Sequence, residues 1–326
     1  MPEVDLLIIG AGPTGLYAAY YAGFRGLRVG VVDSLPELGG QITAMYPEKA
    51  ILDVAGFPSI KGRDLVEGLV AQAATADPQY FLDRTAQTLE HGDDHVTVGL
   101  DDGTSITAGA LLVTAGIGKF SPRPLPAAEG WVGRGVEFFV PSFAPYAGKD
   151  VVIVGGGDSA FDWAQHLEPV ASSVTLVHRR DAFRAHERTV QAVRDSSVEI
   201  ITKAQVTALR GSGGNGSGHV AEVEVTVDGQ EPFVRPAQAV VAALGFVADL
   251  GALQTWGLET LKRHLVVDSA MRTNIERVFA AGDITEYPGK VRLIAVGFGE
   301  AATAVNNAAV AIDPTAHVFP GHSSEA

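Results

Sequence analysis

The stretch Val4-Asp5-Leu6-Leu7-Ile8-Ile9-Gly10-Ala11-Gly12-Pro13-Thr14-Gly15 decides how the rest of the chain is read. Val4 to Ile9 is a short apolar run with little alternation, the pattern of a parallel strand buried on both faces. Three glycines follow in the spacing G-x-G-x-x-G, and Leu16 to Ala22 continues as an alanine-rich helical run. Each glycine answers a separate demand. Gly10 permits a tight turn, Gly12 lets the backbone approach a pyrophosphate, and Gly15 lets the helix pack closely on the strand. The helix N-terminus then faces the phosphate charge. The next strand, Arg28 to Val32, ends at Asp33, near the spacing at which a carboxylate reaches a ribose hydroxyl pair. A glycine triplet alone is weak; strand, loop, helix and acid together specify a dinucleotide site.

The unit recurs. Val151 to Val154 reads as a strand, Gly155-Gly156-Gly157-Asp158-Ser159-Ala160 as the loop, Phe161 to Leu167 as a helix and Ser172 to Val177 as the next strand. At the spacing where Asp33 stands in the first copy, the second carries His178-Arg179-Arg180. A carboxylate there suits a free 2′-hydroxyl, whereas arginines clamp a 2′-phosphate. The second loop therefore reads as NADP-specific, with Arg184 completing a basic pocket and His178 placed to stack or hydrogen-bond.

The remaining segments fit an α/β chain with two Rossmann-like dinucleotide-binding domains, each a three-layer sandwich. Gly39 to Met45 reads as a glycine-started turn into a helix, Ile51 to Pro58 as an irregular loop and Gly62 to Asp77 as an amphipathic helix. His95 to Leu100 and Ser105 to Ala108 flank Asp101-Asp102-Gly103 as a hairpin, and Leu111 to Thr114 follows as a separate buried strand. Proline-rich 121–126 reads as a linker. Glycine-rich 211–218 reads as a loop without chemistry, and Val278 to Asp283 and the helix Ala301 to Ile312 as the elements that close the first domain. The expected division is 1–118 with 278–326 for one domain and 119–277 for the other, with hinges near Lys119 to Pro122 and near Asn274 to Arg277.

Composition narrows the function. The 326 residues carry a net charge of −14, which argues against general affinity for nucleic acid. No apolar run approaches the ~18 residues of a membrane span. The opening Met-Pro-Glu-Val lacks a basic leader, so a cytoplasmic location is expected. The histidines His91, His95, His166, His219 and His264 show no metal spacing. There is no cysteine, which removes disulfides, thiolate metal sites and any dithiol relay.

With these residues in hand, the chain resembles the thioredoxin-reductase-like pyridine nucleotide–disulfide oxidoreductases over nearly its whole length. The resemblance rests on both glycine loops, on His178-Arg179-Arg180 with Phe183-Arg184-Ala185, and on Val278 to Asp283. Thioredoxin reductases carry Cys-x-x-Cys before the second loop. This chain has Glu137 to Gly148 there instead, so disulfide reduction by that route is excluded. Gly39-Gly40-Gln41, Met45-Tyr46-Pro47 and a tail ending Gly321-His322-Ser323-Ser324 are most similar to the cysteine-free branch, the thioredoxin-reductase-type ferredoxin–NADP reductases.

That resemblance implies FAD at Gly10, Gly12, Thr14 and Gly15, with Asp33 on its ribose and Gln41 and Tyr46 near the flavin. It places Ala86 and Phe120 at further FAD contacts and Asp283 on the ribityl chain. It implies NADPH at Gly155, Gly157, Asp158, Ser159, Ala160, His178, Arg179, Arg180 and Arg184. His322 is implied to stack on the flavin of a partner subunit, with Ser323 or Ser324 near its reactive nitrogen, hence a homodimer. No side chain performs the chemistry; the flavin takes a hydride from NADPH and passes electrons to ferredoxin, whose acidity would call for cations such as Lys49, Lys61, Arg63, Lys290 and Arg292. The same loops also suit an NADPH-dependent flavin reductase or oxidase of a small molecule such as a quinone, or a non-catalytic flavin redox sensor.

Overall fold

A computed structural model describes residues 3–213, 218–319 and 321. The chain divides into two compact units, Met1–Phe120 with Ala248–Ala326, and Ser121–Val247.

In the first unit Val4–Ile9 lies inside a seven-stranded sheet, with Val29–Asp33 parallel on one side and Ser105–Val113 parallel on the other. Val29–Asp33 pairs onward with Gln79–Leu82, and Val278–Ala280 adds in parallel beside Leu111 to Val113. Ala86–His91 and Val96–Leu100 extend the sheet as an antiparallel meander. The chain leaves Val4–Ile9 to one side first and reaches the other side later. Such a reversal opens a crevice at the carboxyl ends of the strands, where dinucleotides bind. Leu6, Leu7, Ile8, Leu111 and Leu112 are fully buried, as a strand covered on both faces requires. The helix Pro13–Phe24 turns Leu16, Ala18, Ala19 and Ala22 inward, and their small size lets it lie against the C-terminal helix Ile294–Ile312.

Two glycines account for differences from the sequence reading. Ser105–Val113 is one strand, not two: Gly109 continues it, and a Cβ there would come within 3.0 Å of the Asp5 carbonyl oxygen. The last helix begins at Ile294 rather than near Ala301. Gly297 and Gly299 lower helix propensity in its first turns, yet a Cβ at Gly297 would stand 2.5 Å from the Thr14 hydroxyl. Close approach, not a chain break, puts glycine at 109 and at 297.

The first compact unit resumes at Ala248, where the sequence reading set the return of the first domain at 278. Leu250, Leu253, Trp256, Leu258, Leu265 and Met271 join the core of the first unit, and the Trp256 indole donates to the Gln87 carbonyl at 3.0 Å. The hinge expected near Asn274 to Arg277 falls inside that unit. Asn274 donates to the Gly257 carbonyl at 2.9 Å, and Arg277 to the carbonyls of Gly109 and Ala311 at 3.1 and 2.7 Å. Short strands and a 3-10 turn give this segment no period by which its burial could be foreseen.

The second unit has a five-stranded parallel sheet, in the order Val136–Glu137, Ala239–Ala243, Asp150–Gly155, Ser173–Val177, Glu199–Ile201. The helices Asp158–Leu167 and Glu187–Arg194 cover one face through Phe161, Leu167, Val190 and Val193. An antiparallel sheet, Ala204–Gly211, Val220–Val227 and Phe233–Pro236, packs through Val206, Val223 and Val225 with Val152 and Val240 of the parallel sheet.

Candidate dinucleotide sites

The first site is built where Val4–Ile9 ends. Gly10 turns with φ +108°, and a Cβ there would fall 2.5 Å from the Thr114 carbonyl oxygen. A Cβ at Gly15 would lie 1.8 Å from the Gly10 carbonyl oxygen, so strand, loop and helix are in backbone contact. Gly12 differs: a Cβ there meets nothing within 4 Å. Gly12 is also the N-cap of the helix Pro13–Phe24, in extended conformation and with no side chain capping the first N–H groups. Unsatisfied donors facing open space at a helix N-terminus form an anion cradle.

A cavity of about 530 Å³ opens beside this cradle, within the size range of ligand pockets. Gly10, Gly12, Thr14, Asp33, Gln41 and Tyr46 line it, and so do Ala86 and Asp283. The structure thus brings these eight expected residues together, with Gly15 packed beneath them. Phe120 lies on the strand Lys119–Pro122. His322, Ser323 and Ser324 lie outside the described residues.

Asp33 is buried and accepts two backbone N–H bonds, from Ala11 at 2.6 Å and Leu35 at 2.8 Å. Burial nevertheless dominates and holds its carboxyl above the usual range. Each of its oxygens accepts one N–H and has a lone pair left, which a ribose diol can fill. Gly39 donates to the Ala11 carbonyl at 2.9 Å, and Gly40, at φ +58°, comes so near that its Cβ would stand 3.0 Å from Gly12 Cα. This turn starts the helix Gln41–Met45 at the cavity wall. The Tyr46 phenol is pushed up to about 12, by burial first and then by the charges of Asp283 and Asp53. Asp283 sits on the 3-10 turn Gly282–Ile284. Burial raises its carboxyl, while Lys290 and Arg292 pull the other way.

Several lining residues escaped the sequence reading. Thr114 donates to the carbonyls of Gly10 and Ile9 at 2.8 and 3.1 Å, fixing the turn. Arg84, whose Nε donates to Asp102 at 2.6 Å, borders the cavity, and so do Leu250, Leu253 and Ile294. Only Thr114, at the end of a buried strand, carried a signal that could have found it.

The second site repeats the plan. A Cβ at Gly155 would stand 2.4 Å from the Ala243 carbonyl oxygen and 2.9 Å from Ala160 Cβ, whereas one at Gly157 meets nothing within 4 Å. Gly157 is the extended, uncapped N-cap of the helix Asp158–Leu167. Asp158 and Ser159 are exposed in its first turn, and Asp158 accepts the His186 N–H at 2.9 Å. The Arg184 N–H donates to the Gly156 carbonyl at 2.8 Å, bringing the basic segment to the loop. Arg179, Arg180 and Arg184 are exposed and make no ion pair among the described residues. His178 instead packs as a buttress: its ring would lie 2.3 Å from a Cβ at Gly156, and it tilts against Phe183. Burial first, and then the charges of Arg179 and Arg180, hold its imidazole below its ordinary value, against opposing backbone hydrogen bonds.

Four of the five cations named as possible contributors to a docking patch have acidic partners. Lys290 has a buried side chain paired with Glu300, Lys61 and Arg63 both pair with Glu48, and Arg292 pairs with Glu286. No cluster of three or more metal-ligating side chains exists among the described residues, and no described helix is long and apolar enough to cross a membrane.

The chain matches the family of pyridine nucleotide-disulphide oxidoreductases over residues 4–309. It is 79% identical to a protein of a Nocardioides species named ferredoxin–NADP reductase, covering 99% of this chain and 97% of the relative. A protein of the same name from Saccharopolyspora erythraea is 62% identical, over 99% and 97% of the two chains. Among solved structures, thioredoxin reductase from Lactococcus lactis superposes with a TM-score of 0.78 at 23% identity, over 95% of this chain and 99% of that one. The T. acidophilum thioredoxin reductase gives 0.77 at 24%, over 95% and 97%. The fold is thereby the thioredoxin-reductase-like one, in a chain without cysteine.

Proposed function

Because the chain belongs to the pyridine nucleotide-disulphide oxidoreductase family, we propose that it is an FAD-dependent ferredoxin–NADP reductase. The observation that carries this reading is the contrast between two like cradles. One opens on a cavity beside a buried carboxylate, the other on three exposed arginines that make no ion pair among the described residues. Bound FAD supplies the redox chemistry, accepting a hydride and releasing electrons singly. The chain binds and orients. The N–H groups beyond Gly12 hold the FAD pyrophosphate, Asp33 accepts the ribose hydroxyls, and Asp283 accepts a hydroxyl of the ribityl chain. Gln41, Tyr46 and Ala86 form the walls. At the second loop the N–H groups beyond Gly157, with Ser159 and Ala160, hold the NADPH pyrophosphate. Arg179, Arg180 and Arg184 take the 2′-phosphate, and His178 keeps their loop in place. With no cysteine in the chain, electrons have no thiol to pass to and leave to an external acceptor.

The reading also takes the protein as a cytoplasmic homodimer in which His322, Ser323 and Ser324 reach the flavin of the partner subunit; the molar mass in solution, with and without residues 322–326, tests the dimer. Phe120 and the division of the chain into an FAD domain and an NADPH domain complete the assignment.

Steady-state reduction of a ferredoxin-linked cytochrome tests the activity. Ferredoxin-dependent turnover, faster with NADPH than with NADH, is the expected result. Flavin bleaching by NADPH to which ferredoxin adds nothing would overturn the acceptor. The paired state of Lys61, Arg63, Lys290 and Arg292 would then favour a reductase of a small molecule such as a quinone.

A further inference from the structure

A buried charge pair that the binding roles above leave unused lies behind the cavity wall. The Lys290 ammonium and the Glu300 carboxylate meet at 2.5 Å, with side chains 1% and 5% exposed. Glu300 Oε1 also accepts the Tyr287 hydroxyl at 2.5 Å, and Oε2 accepts the Gly282 N–H at 2.7 Å. Glu300 therefore ties together three pieces of one wall. Gly282 precedes Asp283, which lines the cavity. Tyr287 and Lys290 belong to the loop that leads to Leu293 and Ile294, which also line it. Glu300 itself stands on the helix Ile294–Ile312. From the opposite side the Thr285 hydroxyl donates to the Gly282 carbonyl at 2.8 Å, so the turn at Gly282, with φ +82°, is held at both its N–H and its carbonyl.

Stability alone does not account for this arrangement. Removing two charges from water is costly, and an apolar pair of similar volume commonly holds such a place as well or better. The pair instead stands where charge matters. Lys290, Arg292, Glu300 and His264 all act on the Asp283 carboxylate at the cavity surface.

We infer that Lys290 and Glu300 are positioning residues for the flavin site: their pair holds the Gly282–Ile284 turn so that Asp283 faces the cavity, and its charge balance sets the preference of the site for reduced over oxidised FAD. The inference rests on the FAD reading above. Reduction adds negative charge to the flavin, so a cation behind the wall favours the reduced form and an unpaired carboxylate opposes it.

The test is the midpoint potential of the FAD in the purified holoenzyme, measured at one pH for the wild type, K290M, E300Q and K290M/E300Q. K290M leaves a carboxylate that still accepts from Gly282 and Tyr287; E300Q keeps one carbonyl acceptor for the Gly282 N–H, turns an NH2 donor toward the Tyr287 oxygen and leaves an ammonium. The expected result is opposite shifts, K290M lowering and E300Q raising the preference for reduced FAD ~10-fold, or ~30 mV for a two-electron couple. The double variant is expected to return toward the wild type, and a pair that only packs would give no such separation of sign. If K290M does not fold, E300Q against the double variant still reads the sign. Unshifted potentials, or single-variant shifts in the same direction, in FAD-replete proteins overturn this inference alone. A wild-type protein that binds no FAD overturns the functional reading as well.

Discussion

Gly12 and Gly15 are both glycines of one loop, yet the space around them differs. A Cβ at Gly12 enters the open cradle, whereas one at Gly15 would collide with the Gly10 carbonyl. Gly12→Ala is therefore expected to leave the melting temperature of the apoprotein close to wild type and to weaken FAD about tenfold, roughly the value of one hydrogen bond to a charged group. Gly15→Ala is expected to cost about 1–3 kcal/mol of stability through overpacking. Thermal melts and flavin fluorescence titrations of the two apoproteins check the contrast; equal FAD loss without a stability difference would contradict it. At the second loop, Arg179→Ala removes a charge-assisted contact worth about 1.5–3 kcal/mol. kcat/KM for NADPH should fall roughly 10- to 100-fold, and that for NADH should stay nearly unchanged. A matching loss with both donors would place Arg179 elsewhere than at the 2′-phosphate.

Elements are held to one another by contacts of unequal legibility, and the N-terminal strand illustrates a readily tested one. Arg28 donates to Asp5 through its backbone N–H at 2.8 Å, its Nε at 3.1 Å and its Nη2 at 2.7 Å, tying Val4–Ile9 to the start of Val29–Asp33. The side-chain bonds from Arg28 hold the Asp5 carboxyl below its ordinary range, against a smaller opposing effect of burial. A folded pKa below the unfolded one means stability that is fully present above about pH 4 and lost as pH falls through the folded value. Asp5→Asn should thus cost about 0.2–1 kcal/mol at pH 7, since the pair is largely exposed. In urea melts the gap between wild type and variant should close toward pH 3; a gap that persists there would mean that packing, not charge, is lost. The glycine loops were legible because their demands are local: the residues that make the turn also bind the phosphate. Gly109 and Gly297 misled because their partners, the Asp5 carbonyl and the Thr14 hydroxyl, are remote in sequence. The same holds for Lys290, which reads as a surface cation until Glu300 is folded against it. Long-range pairing, unlike periodicity, leaves no local mark.

Across the whole molecule, the two cradles fall in different units, and among the described residues every one that lines the cavity belongs to the first. The segment 248–277 joins that unit because its apolar side chains complete a core begun before residue 120. The second unit is left as one uninterrupted stretch, Ser121–Val247, with its own parallel sheet and with Ile153, Phe161, Leu167, Leu176 and Val241 fully buried. A stretch of this length with an independent core falls within the range of autonomously folding domains. Residues 121–247 expressed alone are therefore expected to unfold cooperatively in urea. NADP+ should raise their melting temperature, with Arg179→Ala abolishing most of that shift, and FAD should have no effect. Ligand at ~100 times its dissociation constant stabilises by about 2.7 kcal/mol, a shift well within calorimetric resolution for a domain of this size. A fragment that folds but ignores NADP+ would mean that the second loop is completed by residues outside the unit; a fragment that binds FAD would mean that the two cradles have been assigned the wrong way round.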